Sequence, residues 1–135
     1  MKVLIDTNII LDVLFNRKDF VKDSLKVFKY CEAKQITGYI SAISFPNIVY
    51  IMRKELDSDR IKQILTTLTS LFNVIELRES DLIKAATLKI SDYEDALQAS
   101  CATRAKLDYI VTRNIKDFKY STVPAIKPSE LFDRI

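Results

Sequence analysis

The stretch KVLIDTNIILDVL, Lys2 to Leu14, decides the fold. Lys2 to Ile5 is a short run rich in β-branched residues, as a buried strand requires. Asp6, Thr7 and Asn8 follow at once, and all three are residue types that cap helices. Ile9 to Phe15 then has the composition of a short helix. A buried strand that turns directly into a helix is the opening of an α/β unit.

The rest of the chain continues in kind. Asn16 to Asp19 reads as a loop, and Val21, Leu25, Phe28 and Cys31 fall at helical spacing within Phe20 to Lys34. Gly38 to Ser41 is a second short strand. Ser44-Phe45-Pro46 opens a helix, with Ser44 as its cap and Pro46 in the first turn, where a missing N–H costs nothing. Ser58-Asp59 opens the next, whose stripe is Ile61, Ile64, Leu65, Leu68 and Leu71. Asn73 to Leu77 reads as a strand, and helices are expected from Ser80 to about Ile90 and from Asp92 to about Lys106. Ala96, Ala99 and Ala102 in the latter permit close packing. Asp108 to Thr112 is a strand, Asn114 to Phe118 a turn or short helix, Ala125-Ile126 an edge strand, and Pro128 to Phe132 a last helical turn. Strands alternating with helices imply one α/β/α sandwich, a mainly parallel sheet between two helical layers, with all 135 residues in a single domain.

Composition narrows the chemistry. Apolar residues at 48% and charged residues at 29% fit a globular domain. No apolar run reaches the roughly 18 residues that span a bilayer. Asp6 interrupts the only place for a signal sequence, so the chain is expected in the cytoplasm with no membrane partner. There is no histidine, which removes Ser-His-Asp and Cys-His catalysis and most zinc sites. A single glycine, Gly38, removes the P-loop and the dinucleotide fingerprint. Cys31 and Cys101 stand alone and read as reduced core residues. The net charge of +3 permits a polyanionic partner without demanding one.

What remains is carboxylate chemistry. Ligands of open parallel sheets bind beyond the carboxyl ends of the strands. Asp6 ends the first strand, Asp92 and Asp95 open one helix, and Asp117 follows the strand that ends at Thr112. Carboxylates held together repel one another unless a cation neutralises them. Oxygen-only ligands suit Mg²⁺ or Mn²⁺. Against this stand simpler roles. Asp6 and Asp92 would each serve as helix caps, Asp95 as a first-turn charge facing the helix dipole, and Asp117 as a turn residue.

The quoted segments carry a family resemblance. VLIDTNIILDVL resembles the start of a PIN domain, the nuclease fold of VapC-type toxins. DYEDALQASCA resembles the second acidic motif of that family and IVTRNIKDF the third, in matching order over nearly the whole chain. The resemblance implies a metal-dependent endoribonuclease, the toxin of a toxin–antitoxin pair. It makes Asp6 and Asp95 metal ligands, with Asp117 closing the site directly or through water and Asp92 as an extra acid. Asn8 is similar to the residue that steadies the first acid, and Thr112 and Asn114 match polar positions near the phosphate. The family usually carries a Glu where this chain has Asn47, so the site has one negative charge fewer. Among Arg53, Lys54, Arg104, Arg113, Lys116 and Lys119, the pair Arg113 and Lys116 flank the acidic motif and are the better candidates for RNA phosphate contact. Lys54 and Lys119 read as solvated. Tyr120 is placed to stack on a base, whereas Tyr109 is expected in the core.

The resemblance also implies a homodimer and an antitoxin partner whose segment covers the acidic pocket. The apolar faces between Phe45 and Phe72 look rich for a small monomer, which a dimer would explain. Two other readings compete. Asn47 suits a PIN-like module that binds RNA or protein without cutting. A phospho-aspartyl enzyme needs a second Asp two residues after the nucleophile, and Asn8 stands there instead.

Overall fold

The computed structural model describes residues 1–135. Five strands form one sheet: β1 (Lys2–Ile5), β2 (Thr37–Ser41), β3 (Asn73–Ile75), β4 (Tyr109–Val111) and β5 (Ala125–Ile126). Their order across the sheet is β3-β2-β1-β4-β5, and all four pairings are parallel. Seven α-helices connect and flank them: α1 (Thr7–Leu14), α2 (Val21–Glu32), α3 (Ser44–Met52), α4 (Ser58–Leu71), α5 (Glu79–Thr87), α6 (Tyr93–Arg104) and α7 (Pro128–Phe132). A 3-10 turn spans Ile115–Phe118. No helix is long and apolar enough to cross a membrane.

Strand alternation sorts the core into two halves, because successive side chains leave opposite faces of a sheet. Val3 and Ile5 of β1 and Val111 of β4 join α1, α2, α3, α4 and α7. Leu4 and Ile110, one residue out of step with these, join α5 and α6. The result is the three-layer sandwich expected from the strand and helix alternation. Cys31 lies in one half and Cys101 in the other, both buried and unbridged. Tyr109 packs against the first half, as expected.

Gly38 is required by close packing. A Cβ built there would stand 2.6 Å from Cys31 Sγ and 2.8 Å from the Phe72 ring, nearer than side chains approach. The lone glycine therefore lets α2 and the end of α4 close over β2.

Three local expectations change. Helix α1 begins at Thr7, two residues before the expected start. Ser44 is the first helical residue of α3 and does not cap it, because its buried hydroxyl meets Thr7. The apolar stripe from Phe45 to Phe72 is largely spent on the first core half, and Tyr50 is the only large apolar residue of that segment that is exposed. The faces that suggested a dimer are thus mostly interior.

Candidate active site

The chain runs from β1 outward to β2 and β3, then returns to place β4 on the other side of β1. This reversal opens a crevice at the carboxyl ends of β1 and β4, where open α/β sheets bind ligands. Asp6 sits at that point, its backbone N–H bonded to Val111 O at 3.0 Å.

Asp6 is 3% exposed. It holds the N-cap position of α1, yet its side chain makes no capping bond. Both carboxylate oxygens are taken by distant residues instead. Thr112 Oγ1 donates to Oδ2 at 2.8 Å and Gln98 Nε2 donates to Oδ1 at 3.1 Å. The Asn114 N–H donates to Thr112 Oγ1 at 3.0 Å, so the hydroxyl proton is left for the carboxylate. A buried carboxylate with no capping bond to its own helix, held from two other elements, does more than cap. Burial raises the Asp6 pKa, the Thr112 and Gln98 bonds oppose it, and the charge of Glu94 adds to it.

Asp95 lies in the first turn of α6. Its pKa is pushed up to about 7, first by burial and then by the negative charges of Asp6, Asp92, Asp117 and Glu94. Four acids from three separate stretches of chain therefore act on Asp95. None takes part in the protein's four ion pairs, which involve Asp12 twice, Glu76 and Asp81. Asp92 does cap α6, accepting from the Asp95 N–H at 3.0 Å, so for this residue the simpler role holds alongside its place in the cluster. Asp117 is exposed on the 3-10 turn.

Glu94 and Gln98 were not singled out in the sequence, although signals for both were present. Glu94 stands between two acids already marked. Gln98 is a large polar residue within the run Ala96 to Ala102, every member of which is buried. Thr7 and Ser44 complete the floor. Thr7 Oγ1 lies 2.9 Å from Glu94 Oε1 and 2.8 Å from Ser44 Oγ. Thr7 has one proton, and a carboxylate is the stronger acceptor, so Thr7 donates to Glu94 and accepts from Ser44.

The remaining expected residues divide. Asn8 is half-buried and its side chain holds no bond to Asp6; Thr112 and Gln98 do the steadying. Asn47, half-buried, lies one turn along α3 from Ser44. Asn114, Lys116 and Asp117 are exposed together on the turn after β4. Arg113 has a structural partner that the sequence did not suggest. Its guanidinium meets the fully buried Asp12 at 2.8 and 3.1 Å and lies 3.8 Å from the Phe20 ring centroid. Ser24 also donates to Asp12, at 3.0 Å. Arg104 is likewise engaged, with Asp81 at 2.8 Å. Arg53 and Lys54 flank the exposed Tyr50 ring, and Lys119 flanks Tyr120.

The donor set fits a hard divalent cation. All five acids offer oxygen alone, and their mutual repulsion is what such a cation relieves. No three of the protein's acid or cysteine side chains close on a common point. Mg²⁺ does not need three, since it takes one or two carboxylates and keeps several waters. Gln98 Oε1 is consistent with this: it is buried without a donor, and the waters of a hydrated cation are donors.

Comparison with known proteins agrees with the geometry. The chain resembles the solved structures of VapBC2 from Rickettsia felis bound to a promoter DNA fragment (23% identity, 94% of this chain and 98% of that one, TM-score 0.71). It also resembles a toxin–antitoxin complex from Klebsiella pneumoniae (24%, 93% and 97%, TM-score 0.69). A third likeness is to VapBC-1 from nontypeable Haemophilus influenzae (20%, 96% and 99%, TM-score 0.71). At such identities the likeness is one of fold. No curated protein matches the chain. A sequence model of the PIN domain matches residues 2–116, a span that holds all of β1 to β4 and every acid of the crevice except Asp117. The chain belongs to the PIN domain family.

Proposed function

We propose that this protein is a Mg²⁺- or Mn²⁺-dependent endoribonuclease that hydrolyses RNA phosphodiester bonds, acting as the toxin of a type II toxin–antitoxin pair. The observation that carries the reading is the unpaired acid cluster around Asp95 at the β1/β4 crevice. Asp6 and Asp95 would hold the cation, with Asp117 and Asp92 completing its surroundings directly or through water. A bound divalent ion acidifies a water and shields the charge that develops on a phosphodiester. The chain's own part is orientation. Thr112 and Gln98 fix both oxygens of Asp6, and Thr7 holds Glu94. Asn114 and Lys116 lie exposed beside Asp117 and are assigned to the RNA phosphates.

The solved neighbours are toxin–antitoxin complexes, which supports an antitoxin as partner. A homodimer belongs to the same reading. Sedimentation at high concentration should show two copies, and a monomer there would remove that part.

A second reading is favoured by Asn47: a PIN module that binds RNA or protein and cleaves weakly or not at all. Purified protein should be tested on a defined tRNA and a structured single-stranded RNA, with Mg²⁺, Mn²⁺ or EDTA, beside Asp95→Asn. Cleavage that needs the metal and is lost in the variant supports the nuclease. RNA binding without cleavage in either metal supports the binding module.

A further inference from the structure

Gln98 is fully buried on α6, one turn beyond Asp95, in a helix whose other buried members are Ala96, Leu97, Ala99, Ser100, Cys101 and Ala102. A long amide is costly there unless both of its ends are satisfied. Only one is. Nε2 donates to Asp6 Oδ1 at 3.1 Å, while Oε1 is buried with no partner. Turning the amide over would set Oε1 against the carboxylate, acceptor against acceptor, so the donor end belongs at Asp6. An apolar residue of the same length would fill the space without the orphaned acceptor. Packing alone does not account for glutamine at this position.

Resting on the metal-site reading above, we propose that Gln98 is a positioning residue: it fixes the Asp6 carboxylate, together with Thr112, in the orientation that receives the divalent cation. With Oδ1 held from α6 and Oδ2 held from the loop after β4, the carboxylate cannot rotate about its Cβ–Cγ bond without breaking a bond to one element or the other. Such outer partners set ligand orientation, and their loss lowers metal affinity by roughly 10- to 100-fold. Gln98 also links the two ligands. It lies on the same helix as Asp95, so the β1 acid is tied to the element that carries the α6 acid.

The test is Mn²⁺ affinity by calorimetric titration of wild type and Gln98→Met, with the thermal midpoint of each protein in EDTA. Methionine keeps the length and removes both the donor and the orphaned acceptor. The expected result is a Kd for Mn²⁺ raised by about tenfold or more, with a metal-free midpoint equal to or above that of wild type. An unchanged Kd overturns the proposal. So does a raised Kd with a matching fall of the metal-free midpoint, which marks a packing role. A wild-type readout covers the case in which the variant fails to fold. On Mg²⁺ titration the Gln98 side-chain amide resonances should move in step with saturation, and resonances that stay in place while Mg²⁺ binds would overturn the proposal. If wild type binds neither ion, the metal-site reading itself falls, an outcome distinct from binding that ignores Gln98.

Discussion

The proposed function gives Asn47 a testable role, because its neutral side chain stands where the family usually carries a Glu. It lies one turn along α3 from Ser44, whose hydroxyl reaches Thr7 and through it Glu94. Asn47 is half-buried and neutral. If Asn47 borders the acid site, as the family resemblance implies, Asn47→Glu adds a negative charge to a cluster that already raises the Asp95 pKa, and two opposite effects are expected. The metal-free protein should lose stability, by about 1 kcal/mol. Mn²⁺ affinity should rise by about tenfold, which corresponds to roughly 1.4 kcal/mol. Denaturation in EDTA and Mn²⁺ titration read the two effects separately. A variant that loses stability without gaining affinity would remove Asn47 from the site. At this scale the sequence was a good guide to acid types and a poor guide to their partners. Asp6, Asp92, Asp95 and Asp117 stand out because acids at strand ends and helix starts are recognisable. Gln98 and Thr112 as the clamps of Asp6 depend on contacts 92 and 106 residues away along the chain. No local pattern encodes such pairings.

At the scale of elements, strands were legible to within a residue or two because a short β-branched run between polar residues has few alternatives. Helix starts were less so. The expected cap Ser44 is drawn inside α3 by its tertiary bond to Thr7, whereas α4 begins at the expected Ser58 with Asp57 as its cap, whose side chain accepts from the Arg60 N–H at 2.8 Å. A cap can be read locally only when its side chain has no better partner elsewhere. Arg113 makes the same point. Its sequence position suggested RNA, but its guanidinium anchors the segment after β4 to α1 through Asp12. Replacing it by Ala leaves Asp12 with Ser24 at 3.0 Å and a long contact to Arg17 at 3.4 Å. Breaking a buried pair costs about 3 kcal/mol or more. Arg113→Ala should therefore lower stability by about that much in urea. A variant of wild-type stability with weakened RNA binding would support the phosphate role. Gly38→Ala tests the packing of α2 and α4 over β2. The added methyl meets Cys31 Sγ and the Phe72 ring, so a loss of about 1–3 kcal/mol is expected. Pairing Gly38→Ala with Cys31→Ala should recover part of it, since the nearest obstructing atom is then gone.

For the whole molecule, the acid cluster makes stability depend on pH, and the proposed cation site would couple to the same titration. The Asp95 pKa is about 7 in the folded protein, raised by burial and by the surrounding carboxylates. In the unfolded chain an Asp titrates near ~3.9. Between about pH 4 and pH 7 the folded state thus keeps a proton that the unfolded state has lost. The stabilisation from this group is fully present below that window and is lost as pH rises through 7. Asp81 acts with the opposite sign. Burial alone would raise its pKa, but bonds from Arg104, the Arg78 N–H and Ser100 outweigh burial and lower it. Its contribution is lost only on acidification below the ordinary carboxylate range, so the two effects do not overlap near neutrality. On the proposed function a divalent cation would take the place of the Asp95 proton, and its stabilisation of the fold would then grow where that proton is no longer held. At a concentration of 100 Kd the cation contributes about 2.7 kcal/mol, a midpoint rise of several degrees for a chain of this length. The Tm increase caused by Mn²⁺ should be clearly larger at pH 8 than at pH 6. Asp95→Asn should abolish most of that increase and, in EDTA at pH 8, melt above wild type because a repelling charge has gone. Equal Mn²⁺ stabilisation at the two pH values would mean that Asp95 does not exchange its proton for the cation, and the acid cluster would then need another explanation.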